Sequence, residues 1–162
     1  MKKLILMFCI LLAGSCFAQT NSNWSNVMYK YYTGPVSPEF QYNYEVQINK
    51  DGSGSLAYTK AGNTATYDFN IGRRGKKKLN RTLKGSKVFQ VPESSLQSDS
   101  KLMGGPERNA VITMWQSPDL DQKPQMINVP GNVTQEYQQG VYDLFDVIEN
   151  LVPDSVWDKV TR

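Results

Sequence analysis

Apolar residues recur at every second position through the first half of the chain and at every third or fourth position near its end. Tyr42, Tyr44, Val46 and Ile48 share one face of an extended segment while Asn43, Glu45 and Gln47 take the other, the alternation of a strand with one buried and one wet face. After the turn residues Asn49 to Gly54, Leu56 and Tyr58 continue the apolar face; after Ala61-Gly62-Asn63, so do Ala65, Tyr67, Phe69 and Ile71. These segments predict an antiparallel meander. Ahead of it, Val27, Tyr29 and Tyr31 alternate with Met28, Lys30 and Tyr32, a strand with two partly apolar faces that Gly34-Pro35 and Ser37-Pro38 end. Residues 19–26 are polar apart from Trp24 and read as a flexible leader. Two further strands are expected, at Ala110 to Gln116 and Gln125 to Val129, with a turn between them at Pro118-Asp119-Leu120-Asp121 and Pro124.

The helical period appears twice. Leu79 and Leu83 are four apart and Gly85 stands where a left-handed cap residue would sit, which predicts a short helix over about residues 75–84, with Val88 and Phe89 inserting after it. From Asn132 onward, Val133, Tyr137, Val141, Leu144, Ile148 and Leu151 form one apolar stripe, whereas Glu136, Asp143, Asp146 and Glu149 on the polar faces meet no Lys or Arg. Pro153 stops this helix, and Asp154 is placed to cap a final turn bearing Val156, Trp157 and Val160. The stretch from Pro92 to Arg108 is long for a connection in a compact domain and reads as a binding or mobile loop. The sum is an α+β fold: one domain over residues 27–162, with an antiparallel sheet of about five or six strands on which a short basic helix and a longer C-terminal amphipathic helix pack.

The first residues give an address. Lys2-Lys3 precede the apolar run Leu4 to Leu12, and Cys16-Phe17-Ala18 meets the small-x-small rule, so residues 1–18 read as a signal peptide of an exported protein, extracellular or periplasmic. The run is too short to cross a bilayer as a helix of the mature chain. A competing reading takes Leu12-Ala13-Gly14-Ser15-Cys16 as a lipobox, with Cys16 lipid-anchored in the envelope; Ala13 fits that pattern poorly, which favours the cleaved form. Cys9 and Cys16 both fall in the leader, so the fold rests on its core and not on disulfides.

Charge changes the picture by its arrangement. The chain holds 18 Lys and Arg against 15 Asp and Glu, and eight of the cations stand between residues 73 and 87 without one acid. These are Arg73, Arg74, Lys76, Lys77, Lys78, Arg81, Lys84 and Lys87, the candidate binding residues. Such a row neutralises phosphate or sulfate groups and attracts acidic partners by its field. Two plainer readings compete: a solvated helix face, or a face offset by the acidic helix, where exposed pairs contribute little. Residues 70–87 contain no aromatic side chain, which argues against nucleic acid. Tyr32 and Trp115 oppose the apolar series of their own strands and, with Met103 of the long loop, are candidate interface anchors, unless the two helices cover opposite faces of the sheet.

Absent residue types exclude whole chemistries. Without histidine there is no Ser-His-Asp triad and no histidine-bound zinc; without a cysteine in the mature chain, thiol catalysis and cysteinyl metal sites go too. No Gly-rich nucleotide loop occurs, so no cofactor, no metal and no catalytic residue is assigned. Carboxylates in turns, Asp119 and Asp121 foremost, leave a glycan hydrolase as the last alternative, but no spacing singles out an acid pair.

Thr33-Gly34-Pro35-Val36 after the first strand, Leu79 and Leu83 on a short helix, Val88-Phe89-Gln90-Val91-Pro92, Asp99 in a loop, a strand at Ala110 to Trp115 and a closing helix together give an outline that resembles the emfourin-like inhibitors of thermolysin-type metallopeptidases, over about residues 27–152. The resemblance implies a small α+β inhibitor but transfers no inhibitory residue, since this chain has a longer meander and a longer loop. The leader and the Phe17-Ala18-Gln19 junction resemble those of small exported Bacteroidetes proteins. The expectation is therefore a secreted, non-enzymatic binding module for a protein or an anionic surface polymer, with a peptidase inhibitor wedging its 93–108 loop into a target as the narrower alternative.

Overall fold

A computed structural model describes residues 23–100, 104–115 and 123–160. Six strands form one antiparallel sheet: β1 (Trp24–Tyr32), β2 (Tyr42–Asn49), β3 (Ser53–Lys60), β4 (Asn63–Asn70), β5 (Glu107–Met114) and β6 (Met126–Val129), in the spatial order β4-β3-β2-β1-β5-β6. Among the described residues four α-helical segments, α1 (Gly72–Gly85), the single turn α2 (Glu93–Leu96), α3 (Gln135–Leu151) and α4 (Asp154–Val160), and a 3-10 turn at Pro38–Phe40 complete it. The expected α+β architecture is present, with the C-terminal helix in place.

The register follows from turn chemistry. A three-residue loop, Lys50-Asp51-Gly52, joins β2 to β3; Gly52 takes φ 101°, and Asp51 accepts hydrogen bonds from the Ser53 amide and hydroxyl at 2.8 and 2.7 Å. The β3–β4 connection is the two-residue turn Ala61-Gly62, both residues at positive φ (50° and 80°). This phasing puts Val27, Tyr29, Val46, Ile48, Leu56, Ala110, Ile112 and Val129 on one buried face.

Both long helices lie on that face, side by side and antiparallel. Gly75 near the start of α1 meets Leu151 at the end of α3, and Gly140 near the start of α3 lies against the Ser86 backbone after the end of α1. Leu79 and Leu83 of α1 join Val141, Leu144, Phe145 and Ile148 of α3 in a single core. The helices therefore do not cover opposite faces; the other face of the sheet is polar, with a cross-strand Lys30–Glu45 ion pair at 3.2 Å.

Several boundaries differ from the sequence expectation: β5 starts at Glu107, not Ala110, and the long helix at Gln135 after an extended Thr134, not at Asn132, and three further differences have a local cause. The first strand starts at Trp24, not Val27, because Trp24 is fully buried and its indole N–H donates to Asn80 Oδ1 at 2.7 Å, tying the strand end to α1. Helix α1 starts at Gly72, where a positive φ of 59° and a hydrogen bond from its amide to Asn70 Oδ1 (2.8 Å) turn the chain out of β4. Its left-handed residue is Lys87 (φ 61°), not Gly85: the helix runs on through Ser86, whose amide bonds Thr82 O at 2.8 Å.

The 93–108 stretch is not one open loop. Leu96 is buried, Gln97 bridges to Val133, the Ser98 amide bonds Asn132 O at 3.0 Å, and Glu107 and Arg108 belong to β5. What makes it fold back is Leu96, an apolar residue among serines that the core accepts.

Candidate functional site

On α1 the buried positions Gly75, Leu79 and Leu83 define the inward line. At 100° per residue, Arg73, Arg74, Lys77, Lys78, Arg81 and Lys84 then fall within an arc of about 140° centred opposite that line. All six are exposed, and none pairs with a carboxylate among the described residues. The span from Arg73 to Lys84 is about 16 Å along the axis.

Two of the eight sequence candidates leave the arc. Lys76 sits at the flank, where its stem packs on Gly52 and its ammonium donates to Asp51 O at 2.9 Å, so it clips α1 to the β2–β3 loop. Lys87 lies past the helix end on the left-handed residue. The N-terminal turn of α1 carries Arg73 and Arg74 with no acid, a placement the helix dipole disfavours.

Two of the four acids of α3, Asp146 and Glu149, are engaged elsewhere. Arg108 Nη2 donates to Asp146 Oδ1 at 2.8 Å and to Glu149 Oε2 at 2.9 Å, and its Nε donates to the Tyr29 hydroxyl at 2.9 Å. Glu149 Oε1 in turn accepts the hydroxyls of Tyr29 and of Tyr44, the latter at 2.7 Å. The guanidinium carbon lies 6.0 and 5.7 Å from the ring centroids of Tyr29 and Phe145. Burial, then the hydrogen bond to Glu149, pushes both tyrosine hydroxyls well above their ordinary range, so they remain donors. Burial alone pulls Arg108 down, but its bonds to Tyr29 and Asp146 outweigh this and hold it above its usual value. Sequence reading missed this cluster: its members lie up to 120 residues apart, and no local pattern links them.

Beside it, Tyr31, Tyr42, Tyr44 and Tyr58 stack across three strands; the Tyr31 and Tyr44 rings are 4.8 Å apart and 9° from parallel. Because the ring faces are spent on one another, this patch offers hydroxyl edges and not a flat surface for stacking a ligand.

The expected interface anchors are separated. Tyr32 (38% exposed) is at one end of β1, and Trp115 (47% exposed) lies beyond the other, its amide bonded to Asn23 O and its ring 5.8 Å from Lys50 Nζ. Nine strand residues, about 30 Å, lie between these ends. Met103, Asp119 and Asp121 fall outside the described residues. Two exposed residues that sequence reading did not single out, Val36 and Phe40, stand on the β1–β2 connection, whose Gly34 touches Gly105 of the connection entering β5. Among the described residues no helix is long and apolar enough to cross a membrane. Comparison with protein-family models and with curated sequences finds no match to this chain.

Proposed function

We propose that this is a secreted, non-enzymatic binding module whose outward arc on α1 engages an anionic surface polymer or an acidic protein face. The observation that carries the reading is the pairing pattern: six cations share one exposed arc without a carboxylate partner among the described residues, while Asp146 and Glu149 of the neighbouring helix are taken up by Arg108. Glu136 and Asp143 form no ion pair with the arc among the described residues either, so an internal offset of the basic face by α3 is disfavoured. A helix that keeps two arginines at the wrong end of its dipole gives up about 0.3–1 kcal/mol for each, which is consistent with charge placed for a ligand.

The test uses the full chain on immobilised dextran sulfate, with neutral dextran as the control. Wild type is retained at low salt and released as salt rises; the variant R74E/K77E/K78E/R81E flows through with an unchanged thermal midpoint, since none of these side chains packs inward. Equal retention of that variant overturns the reading. Lys76 is left intact because its reversal would disturb the β2–β3 loop.

One observation favours a peptidase inhibitor as the second reading. Phe40 is 66% exposed and Val36 41%, on a connection that abuts the one entering β5, an apolar tip of the kind that enters a cleft. Stoichiometric inhibition of thermolysin that is lost in Phe40→Ala supports it; no inhibition at any ratio excludes that enzyme as a target.

A further inference from the structure

The two edges of the sheet are built differently. Strand β6 is four residues long, is followed by Pro130, and is flanked by α2, whose Glu93 carboxylate accepts the Asn128 amide at 2.9 and 3.1 Å. Such features block the approach of another strand. Strand β4 is guarded less: α4 lies against its apolar face, with Lys159 over the Tyr67 ring, but the strand is eight residues long, contains no Pro, Lys or Arg, and keeps an unbroken register with β3.

Its free backbone groups can be located from the turn. In the two-residue turn after Lys60, the Asn63 amide points at Lys60 O, toward β3. By alternation the backbone groups of Ala65, Tyr67 and Phe69 also point inward, and those of Thr64, Thr66, Asp68 and Asn70 point away from the sheet. Among the described residues nothing pairs with that side.

We propose that the outer edge of β4 is an interface between two copies of this chain, which pair antiparallel about a two-fold axis at Thr66 and join their sheets into one. The occupant is argued from self-complementarity. Only registers that keep the two apolar faces together are admissible. An axis at Tyr67 sets ring on ring and brings together the two Lys159 ammonium groups, each of which lies 5.7 Å from its own Tyr67 ring. An axis at Asp68 opposes two carboxylates, and one at Ala65 shortens the overlap and leaves Tyr67 opposite Asn63. With the axis at Thr66, each Tyr67 covers the small, exposed Ala65 of the other copy, Asp68 faces Thr64, and the central pair is Thr66 with Thr66. A dimer also presents two α1 arcs, so weak anion contacts gain from being linked.

The experiment is sedimentation equilibrium of the full chain with Cys9 and Cys16 replaced by Ser. The expected mass rises with concentration toward twice that of the chain. Thr66→Pro, which removes an outward N–H without touching the β3 ladder, and Thr66→Lys should both hold the protein monomeric with the thermal midpoint retained. The central pair lies about 5.5 Å apart between Cα atoms, within the span of a disulfide. Thr66→Cys should therefore cross-link on oxidation while Asp68→Cys does not. A wild type that stays monomeric at all concentrations overturns the proposal, including the case in which Thr66→Pro instead abolishes capture of a foreign strand. Cross-linking at Asp68 in place of Thr66 overturns the register.

Discussion

Glu149 receives hydrogen bonds from three side chains, two of them on central strands and one on β5, and so fixes where the end of α3 rests on the sheet. Replacing it separates charge from shape. Glu149→Gln keeps an acceptor for the tyrosines and loses one of the two ionic partners of Arg108, a cost of about 1–2 kcal/mol given that the pair is partly exposed. Glu149→Leu leaves two hydroxyls without their acceptor and Arg108 with Asp146 as its one remaining carboxylate, and costs about 3 kcal/mol. Urea midpoints in that order, Gln milder than Leu, check the assignment. The tyrosines make a pH prediction with a definite sign. Their hydroxyls titrate near pH 10 in the unfolded chain and higher in the folded one, so above pH 10 the unfolded state binds fewer protons and stability falls. The slope is about 1.4 kcal/mol per pH unit for each tyrosine, absent below pH 10. Denaturation curves between pH 9 and 11.5 should show it, and the Tyr29→Phe/Tyr44→Phe double variant should flatten it.

At the level of elements, α1 and α3 approach closely because two glycines let them. A Cβ on Gly140 would stand 3.0 Å from Ser86 Cα, and one on Gly75 3.0 Å from Leu151 Cδ2. Gly140→Val should push the helices apart and cost about 2 kcal/mol despite its better helix propensity, read as a lowered thermal midpoint. The opposite change is available at Lys87 and Ala61, non-glycine residues held at φ 61° and 50°. Lys87→Gly and Ala61→Asn should each raise stability by about 0.5–1 kcal/mol. The strands β2 to β4 and the stripe of α3 were legible in the sequence because one wet and one dry face impose a period on neighbouring residues. The Lys87 cap was not, since Gly85 mimics the usual signal and only the burial of Val88 forces the chain to turn two residues later. Trp24 was not either: its partner Asn80 is 56 residues away, so the segment reads as a polar leader when seen alone. The basic residues of the candidate site could be found by composition, yet their division into an outward arc and the structural Lys76 depends on which side of α1 meets the sheet.

The whole molecule carries its charges in two arrangements of different kind. Arg108, Asp146 and Glu149 satisfy one another at the edge of the core, whereas the α1 arc faces solvent and forms no ion pair among the described residues. A chain whose formal charge is only +3 can then bind a polyanion through local density with little general attraction, and such binding should depend steeply on salt. The four reversals on the arc remove two charges each and shift the formal charge of the full chain from +3 to −5, so on their own they would weaken attraction to dextran sulfate even if the arc were not a site. Position separates the two explanations. Reversing Lys30, Lys50, Lys60 and Lys159, which lie on the sheet, its turns and α4, changes the net charge equally but spares the arc. If α1 is the site, single arc reversals each lower the slope of log retention against log salt by about 1. Each reversal off the arc should lower overall retention slightly and leave that slope unchanged. Equal slopes for the two sets would mean that net charge alone attracts the polymer, and the arc would then be a solvated face.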